Sequence, residues 1–268
     1  MSTTSTGIAV VTGASSGIGA IYADRLAHRG YDLVLVARSQ KKLDEVAGRV
    51  AGATGRIVRV MAADLNDKAD LKRVETLLAS EPEIAMLVNN AGVGSVAPLV
   101  EADVDAMEQM IALNVTALTR LTYAAAPSFV SRGGGAIVNV ASIVAIRPES
   151  LNGVYGGTKA FVLAFSLSLV KELAASNVRV QAVLPGATAT DFWDLSGRPI
   201  ENLPSAIVMS AEDMVDAALA GFDQGELVTI PALPDAADWH AYEAARQKLM
   251  PNLSHRIPAA RYRVAATA

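Results

Sequence analysis

The chain has 268 residues, of which 51% are hydrophobic and 19% are charged, and its formal net charge is -4. This composition is typical of a globular α/β protein with a well-filled core, and it argues against a disordered chain. The sequence has no long run of Lys or Arg, so nothing in it indicates a nucleic-acid-binding surface. It also has no cysteine, which excludes disulfides, a thiolate metal site and a cysteine nucleophile.

Three histidines, His28, His240 and His255, are widely separated in the chain and give little support to a metal site. Residues 1–7 lack the basic segment of a secretory signal, and we expect no apolar run to reach the ~18 residues that a membrane span needs. We therefore expect a cytoplasmic protein with no metal and with neither membrane nor nucleic acid as a partner.

The first apolar run, residues 7–12, is typical of a buried parallel strand, and a helical pattern follows it to about Gly30. A glycine-rich turn separates the two. Glycines in such a turn let the backbone approach a pyrophosphate, and the helix N-terminus offers unpaired N–H groups. The glycine spacing differs from the G-x-G-x-x-G fingerprint of many dinucleotide-binding proteins. The predicted phosphate-binding residues are Gly13, Ser15, Ser16, Gly17, Ile18 and Gly19.

Strands and helices alternate through the rest of the chain, which predicts parallel strands joined by helical crossovers. The further predicted strands are residues 31–37, 56–63, 84–88, 136–141, 178–184 and 226–230. The further predicted helices are residues 40–53, 67–80, 103–129, 154–175, 211–222 and 235–249. We predict a single doubly wound α/β domain over residues 1–268, with a Rossmann-type core at 7–231, about seven parallel strands and helices on both faces. Residues 191–209 form an irregular loop, and 232–268 form a C-terminal helix and tail.

Tyr155 and Lys159 lie four residues apart at the start of an apolar helix, so both side chains share one helix face. A nearby cation favours the phenolate and lowers the pKa of a tyrosine. Tuned in this way, Tyr155 could exchange a proton with a carbonyl or an alcohol while a separate carrier moves a hydride. Taken alone, a Tyr-x-x-x-Lys is a weak signal, and it is usually explained by an aromatic residue at a helix start with an exposed lysine one turn on.

The glycine turn, Thr12-Gly-x-x-x-Gly-x-Gly19, combined with Tyr155-x-x-x-Lys159, resembles the short-chain dehydrogenase/reductase family. The resemblance covers nearly all of residues 7–231. It implies that Tyr155 is the catalytic acid-base and that Ser142, thirteen residues earlier, polarises the substrate carbonyl. It further implies that Lys159 lowers the phenol pKa and binds the cofactor ribose. The resemblance also implies a fourth catalytic residue, Asn114, whose main-chain carbonyl would fix a water of the proton relay. Without the resemblance, an asparagine among apolar helix neighbours is usually back-bonded or at the surface.

The same resemblance implies a nicotinamide cofactor site. Its further residues are Asp64 and Leu65 on the adenine, Asn90, Ala91 and Gly92 on the ribose side, and Pro185, Gly186, Thr188 and Thr190 on the carboxamide side. Asp64 is also readily explained as a turn or cap residue.

The end of the second predicted strand indicates which nicotinamide cofactor is used. Enzymes that use NAD carry an acidic residue there for the ribose 2′-OH, whereas this chain has Ala37 followed by Arg38 and Ser39. A guanidinium grips a phosphate bidentately, so the pattern predicts NADP(H). The alternative is a solvated arginine at a strand end.

We therefore expect an NADP(H)-dependent oxidoreductase that interconverts a ketone and a secondary alcohol. Val144, Phe192 and Trp193, beside Ser142 and Tyr155, predict an apolar pocket for a hydrophobic ketone under a mobile loop. The alternative is a non-catalytic NADP(H) sensor or scaffold on the same fold.

Residues 161–170 are apolar on nearly every side, which predicts pairing with a second subunit in a homodimer or homotetramer. The alternative is that the C-terminal segment covers the second apolar face within one chain.

Overall fold

The structure is a computed structural model that describes residues 5–262. These residues divide into two compact units, one ending at Ala232 and the other beginning at Leu233. The first unit contains seven strands, β1 Ile8–Thr12, β2 Asp32–Ala37, β3 Val58–Ala62, β4 Ile84–Asn89, β5 Gly135–Val140, β6 Val178–Val183 and β7 Val228–Thr229. Its helices are α1 Gly17–His28, α2 Gln40–Thr54, α3 Lys68–Ser80, α4 Val104–Ile111, α5 Leu118–Ser131, α6 Gly153–Glu172, α7 Phe192–Leu195 and α8 Ala211–Gln224.

The seven strands form one sheet in the order β3-β2-β1-β4-β5-β6-β7, and every neighbouring pair is parallel. Strand β1 shows why the strands are apolar throughout, since successive side chains point to opposite faces and both faces are covered. Ala9 and Val11 pack with α1, α2 and α8, whereas Ile8 and Val10 pack with α3, α5 and α6. The predicted doubly wound fold is confirmed.

The long helix predicted over 103–129 is divided into α4 and α5 by a π-helical segment, Ala112–Ala117. Strand β7 is shorter than predicted, with two residues in place of five. The loop 191–209 contains α7, and a bridge between Thr188 and Met209 joins its two ends.

Helix α6 corrects one expectation from the sequence. Its 20 residues are long and apolar enough, by length and composition, to cross a membrane, although no apolar run of that length was expected. The helix packs on one face of the sheet, and 44% of its apolar stretch is buried inside the fold. Because one face packs on the sheet and buries Tyr155 and Lys159, we interpret α6 as a core helix.

The second unit contains α9, Ala236–Lys248, whose N-terminus is capped by the Asp235 side chain accepting from Ala237 N. The prediction that 1–268 is one domain stays a prediction. Residues 1–4 and the end of the predicted tail, 263–268, lie outside the described residues.

Candidate active site

The candidate site lies between β1 and β4, where the order of strands in the sheet reverses. The crossover after β1 leads to β2 on one side, and the crossover after β4 leads to β5 on the other. Ligands of open parallel sheets bind outside the carboxyl ends of the strands at such a switch point. A cavity of about 880 Å³ opens here, lined by the glycine turn, by the segment after β4, and by Ser142, Tyr155 and Lys159.

Thr12 ties the ends of β1 and β4 together. Its hydroxyl accepts hydrogen bonds from Asn90 N and Ala91 N, both at 3.0 Å, and it donates to Val88 O at 3.3 Å. The Asn90 side chain returns the contact by donating to Thr12 O at 2.9 Å and to Gly13 O at 3.2 Å. These bonds fix the floor of the cavity.

The turn after β1 has room only for glycine at two positions. Gly13 adopts a left-handed backbone, φ +66°, and a Cβ there would lie 2.8 Å from Asn90 Nδ2. A Cβ on Gly19 would lie 2.3 Å from Gly13 O. The backbone of this turn is therefore closely packed on the side of β4. On its other side Ser16, Gly17 and Ile18 line the cavity.

The N-terminus of α1 faces this cavity without a side-chain cap. Ser16 precedes the helix with its hydroxyl making no capping bond, and the first turn contains no acidic residue. Helices α2, α3, α4, α6 and α8 are all capped by a side chain. The unpaired N–H groups and positive dipole end of α1 suit a phosphate group.

The predicted nucleotide-specificity residues lie beyond the lining of this cavity. Arg38 follows β2, is exposed, and makes no hydrogen bond or ion pair within residues 5–262. Ser39 caps α2 by accepting from Lys42 N at 3.4 Å. Asp64 accepts from Asn66 N at 2.9 Å, which is a turn-type contact, and Leu65 is buried.

Ser142, Tyr155 and Lys159 meet at the other wall of the cavity, and all three are buried. Ser142 follows β5, and its hydroxyl donates to Pro185 O at 3.4 Å and lies close enough to the Tyr155 hydroxyl to lower the pKa of that group. The Ser142 oxygen also accepts from Val144 N at 3.3 Å. The two hydroxyls that the resemblance assigned to one reaction therefore belong to the same cavity wall.

Burial controls the proton affinities of the two titratable groups. It raises the pKa of Tyr155 to about 12, and the nearby Ser142 hydroxyl opposes this rise. It lowers the pKa of Lys159 to about 8. The Lys159 ammonium lies 5.9 Å from the centre of the Tyr155 ring and donates to Val140 O at 2.8 Å.

Burial is therefore the largest influence on the pKa of Tyr155 in this structure. The expectation that Lys159 lowers the pKa of the phenol stays a prediction. At neutral pH Tyr155 stays protonated, which suits a proton donor.

Asn114 lies in the π-helical segment, buried behind the cavity wall rather than in it. Its side-chain oxygen accepts from Val93 N at 3.0 Å, and its nitrogen donates to Val93 O at 2.8 Å and to Thr158 Oγ1 at 3.1 Å. The side chain thus connects the segment after β4 to α6, and it is neither back-bonded nor at the surface. π-Helical turns are frequent at functional sites.

A buried chain of polar side chains connects β4, β5 and α6 next to the site. Asn89 on β4 donates to Asn139 Oδ1 at 2.9 Å and to Thr122 Oγ1 at 3.1 Å, and Asn139 on β5 donates to Ser166 Oγ on α6 at 2.9 Å. The resemblance indicated only Asn89, since Asn89-Asn90-Ala91-Gly92 is the family's sheet-steadying motif; the other members were missed, and the one signal for Asn139 was an asparagine inside an apolar strand.

Asn152, also missed, caps α6 three residues before Tyr155. Its side chain accepts from Val154 N at 2.8 Å and Tyr155 N at 3.3 Å, and donates to Ala97 O at 2.6 Å. An asparagine two residues before an apolar helix is a capping signal that the sequence offered.

The predicted substrate residues line the cavity next to Tyr155. Val144 is buried against Tyr155, and the Phe192 ring is centred 5.7 Å from the Tyr155 ring. Trp193 is buried, and its indole N–H donates to Thr188 O at 3.0 Å, so it mainly anchors α7.

The segment after β6 closes the cavity from above. Pro185, Gly186, Thr188 and Thr190 all line it, as predicted from the sequence pattern. A Cβ on Gly17 would lie 3.0 Å from Thr190 Cγ2, so this segment crosses directly over the glycine turn.

The short chain dehydrogenase family matches residues 7–199 in a comparison with known families. The protein belongs to the short-chain dehydrogenase family. A curated relative in this family, the very-long-chain 3-oxoacyl-CoA reductase-B of Danio rerio, is 39% identical over 201 residues, which are 74% of this chain and 64% of that protein.

Two solved structures of the family are similar over almost the whole chain. A short-chain dehydrogenase from Sphingobium yanoikuyae in complex with NADPH is 48% identical, with a TM-score of 0.92, and the match covers 96% of this chain and 100% of that one. A bulky-bulky ketone specific alcohol dehydrogenase from Comamonas testosteroni is 43% identical, with a TM-score of 0.89, and the match covers 97% and 99%. The protein is thus an oxidoreductase of this family.

Proposed function

We propose that the protein is an NADP(H)-dependent reductase of bulky, hydrophobic ketones that also runs in reverse on the secondary alcohols. The observation that carries the proposal is that buried Ser142, Tyr155 and Lys159 face a glycine turn across one cavity. The NADPH complex of the Sphingobium relative and the ketone specificity of the Comamonas relative support it.

The residues present fit the cofactor. The close-packed glycine turn and the uncapped, acid-free N-terminus of α1 suit its pyrophosphate. Arg38 stands free beyond β2, where a 2′-phosphate would need a cation. Bound NADPH supplies the hydride for carbonyl reduction. The residues that would hold it are Gly13, Ser15, Ser16, Gly17, Ile18, Gly19, Arg38, Ser39, Asp64, Leu65, Asn90, Ala91, Gly92, Tyr155, Lys159, Pro185, Gly186, Thr188 and Thr190.

Ser142 and Tyr155 act together on the carbonyl oxygen. Both hydroxyls can donate hydrogen bonds to it, which polarises the carbonyl and fixes the ketone in the cavity. Tyr155 then gives its proton to the developing alkoxide, because burial keeps the phenol protonated at neutral pH. In the reverse direction the same oxygen accepts the proton from the alcohol.

Lys159 and Asn114 support this proton transfer. A charged Lys159 near the phenol favours the phenolate formed when Tyr155 has given its proton away. Asn114 holds the segment after β4 against α6, and we assign its main-chain carbonyl to the water that reconnects Lys159 with solvent.

The cavity favours an apolar substrate. Val144, Leu151 and Phe192 line it beside Tyr155, and Leu195 and Leu203 also belong to its lining. A panel of aryl and alkyl ketones, ketoesters and sugars, assayed by NADPH oxidation, tests this part of the proposal. Sugars that turn over far faster than aryl ketones would contradict it.

Tyr155→Phe tests the reaction itself. It should remove nearly all turnover and leave NADPH binding almost unchanged, since only the proton donor is lost. Tyr242→Phe is the matched control, because Tyr242 is an exposed tyrosine outside the cavity lining and should leave turnover intact. Near-normal kcat in Tyr155→Phe would refute the mechanism. Tight NADPH binding without turnover of any ketone by the unmodified protein would favour a sensor or scaffold.

We also propose that the protein is a cytoplasmic homodimer or homotetramer. Three aromatic side chains, Tyr123, Phe161 and Phe165, form a stacked row on the outer face of α5 and α6. Two of them are well exposed, Tyr123 at 66% and Phe161 at 38%. An aromatic row of this kind suits the same surface on a second subunit.

A further inference from the structure

Gly94 leaves the space that the Phe192 ring occupies. A Cβ at position 94 would lie 2.3 Å from Phe192 Cζ and 2.7 Å from Phe192 Cε2. It would also lie 3.2 Å from Ser196 Oγ. The backbone of Gly94 does not have a positive φ, so the chain itself would accept alanine. What excludes a side chain at 94 is the ring of Phe192.

The other neighbours of Phe192 restrict where its ring can go. The Tyr155 ring lies 5.7 Å away on one side, and the Trp193 ring lies 5.6 Å away at right angles. The two loops are also tied together, since Val96 N donates to Ser196 O at 3.1 Å and Ser196 Oγ donates to Phe192 O at 2.6 Å. A ring pushed away from position 94 has the cavity as its free direction.

We infer that Gly94 is a positioning residue that sets the place of the Phe192 ring beside Tyr155 and thereby the width of the substrate pocket next to the reacting atoms. The absence of a side chain at 94 lets the ring lie back against the loop that follows β4. The pocket beside Tyr155 then stays wide enough for a ketone with large groups on both sides of the carbonyl. The substrate part of this inference rests on the proposed function, whereas the contact between Gly94 and Phe192 does not.

A double-mutant cycle with Gly94→Ala, Phe192→Ala and the double variant tests the contact without any substrate. Gly94→Ala should lower the Tm by roughly 2–10 °C, which is the usual effect of overpacking in a protein of this size. In the Phe192→Ala background the same change should lower the Tm by less than about 2 °C, because the clashing ring is gone. Gly157→Ala is the matched control, since its Cβ would meet no atom within 4 Å. If Gly94→Ala lowers the Tm equally in the unmodified protein and in Phe192→Ala, the inference is overturned.

Kinetics with two ketones test the consequence for the pocket. Gly94→Ala should reduce kcat/KM for butyrophenone at least about tenfold and for 2-butanone less than threefold, while the Kd for NADPH stays unchanged. Adding Gly94→Ala to Phe192→Ala should change the kcat/KM of neither ketone by more than about twofold. If Gly94→Ala leaves the ratio of kcat/KM for butyrophenone to kcat/KM for 2-butanone unchanged, the pocket inference is overturned. Failure of the unmodified protein to reduce any ketone would instead overturn the proposed function, and the Tm cycle would still decide on the contact.

Discussion

Lys159→Met should make the cofactor-free protein more stable while removing its activity. Methionine keeps most of the lysine stem and carries no charge, so it removes the cost of a buried ammonium group. Burial lowers the pKa of Lys159 from 10.5 to about 8. One pKa unit is worth about 1.4 kcal/mol, so the charged side chain costs roughly 3 kcal/mol at pH 7. The variant also loses the 2.8 Å hydrogen bond to Val140 O, which costs about 1–3 kcal/mol. The net increase in the free energy of unfolding is therefore roughly 0–2 kcal/mol.

The pH dependence is the sharper part of this prediction. The folded-state pKa of Lys159 lies below the unfolded one, so between about pH 8 and 10.5 the unfolded chain binds more protons. The cost of the charge is fully present below pH 8 and disappears as the pH rises through this window. From pH 7 to pH 10 the unmodified protein should therefore gain roughly 2.5 kcal/mol of unfolding free energy relative to Lys159→Met.

Urea denaturation of both proteins at pH 7 and pH 10 measures this difference. Lys171→Met is the matched control, because it removes the same charge from the exposed last turn of the same helix. Its stability relative to the unmodified protein should be nearly the same at both pH values. A stability difference between Lys159→Met and the unmodified protein that does not change with pH would refute the reasoning.

Three further outcomes test the cofactor and the assembly. Arg38→Ala should raise the KM for NADPH roughly tenfold to hundredfold and that for NADH little, whereas Lys41→Ala, an exposed cation nearby, should change neither. Equal kcat/KM for both cofactors in the unmodified enzyme would contradict this. Ala37→Asp should shift the preference toward NADH, measured as the ratio of kcat/KM values, because a carboxylate repels the 2′-phosphate. Phe165→Glu should give a monomer by light scattering at micromolar concentration, and an unmodified protein that is already monomeric would refute the proposed assembly.

Local patterns were enough to predict the fold and the positions of the site residues. Strands β1 to β6 are short apolar runs bounded by turn residues, and their ends differ from the predicted ends by no more than two residues. Because these ends meet at one edge of a parallel sheet, Ser142 and the glycine turn had to lie near each other once the strand order was known.

What the sequence could not provide depends on contacts between distant residues. The chain from Asn89 through Asn139 to Ser166 joins three elements, and nothing local distinguishes its members. The direction of the Tyr155 pKa shift depends on burial by many neighbours, which the Tyr-x-x-x-Lys spacing does not reveal. The fit between Gly94 and Phe192 spans two loops that only the folded chain brings together.

The cavity exists only after two strands that are far apart in the chain have met. Asn90 and Thr12, whose bonds form its floor, are separated by 78 residues. Strands β1, β2 and β3 are neighbours in the chain and in the sheet, whereas β4 must dock on the opposite side of β1. Closing so long a loop costs entropy that is recovered only on docking, so the nucleotide cleft should form late in folding. A ligand of this cleft would then slow unfolding more than it accelerates folding, and would lengthen the lifetime of the native state.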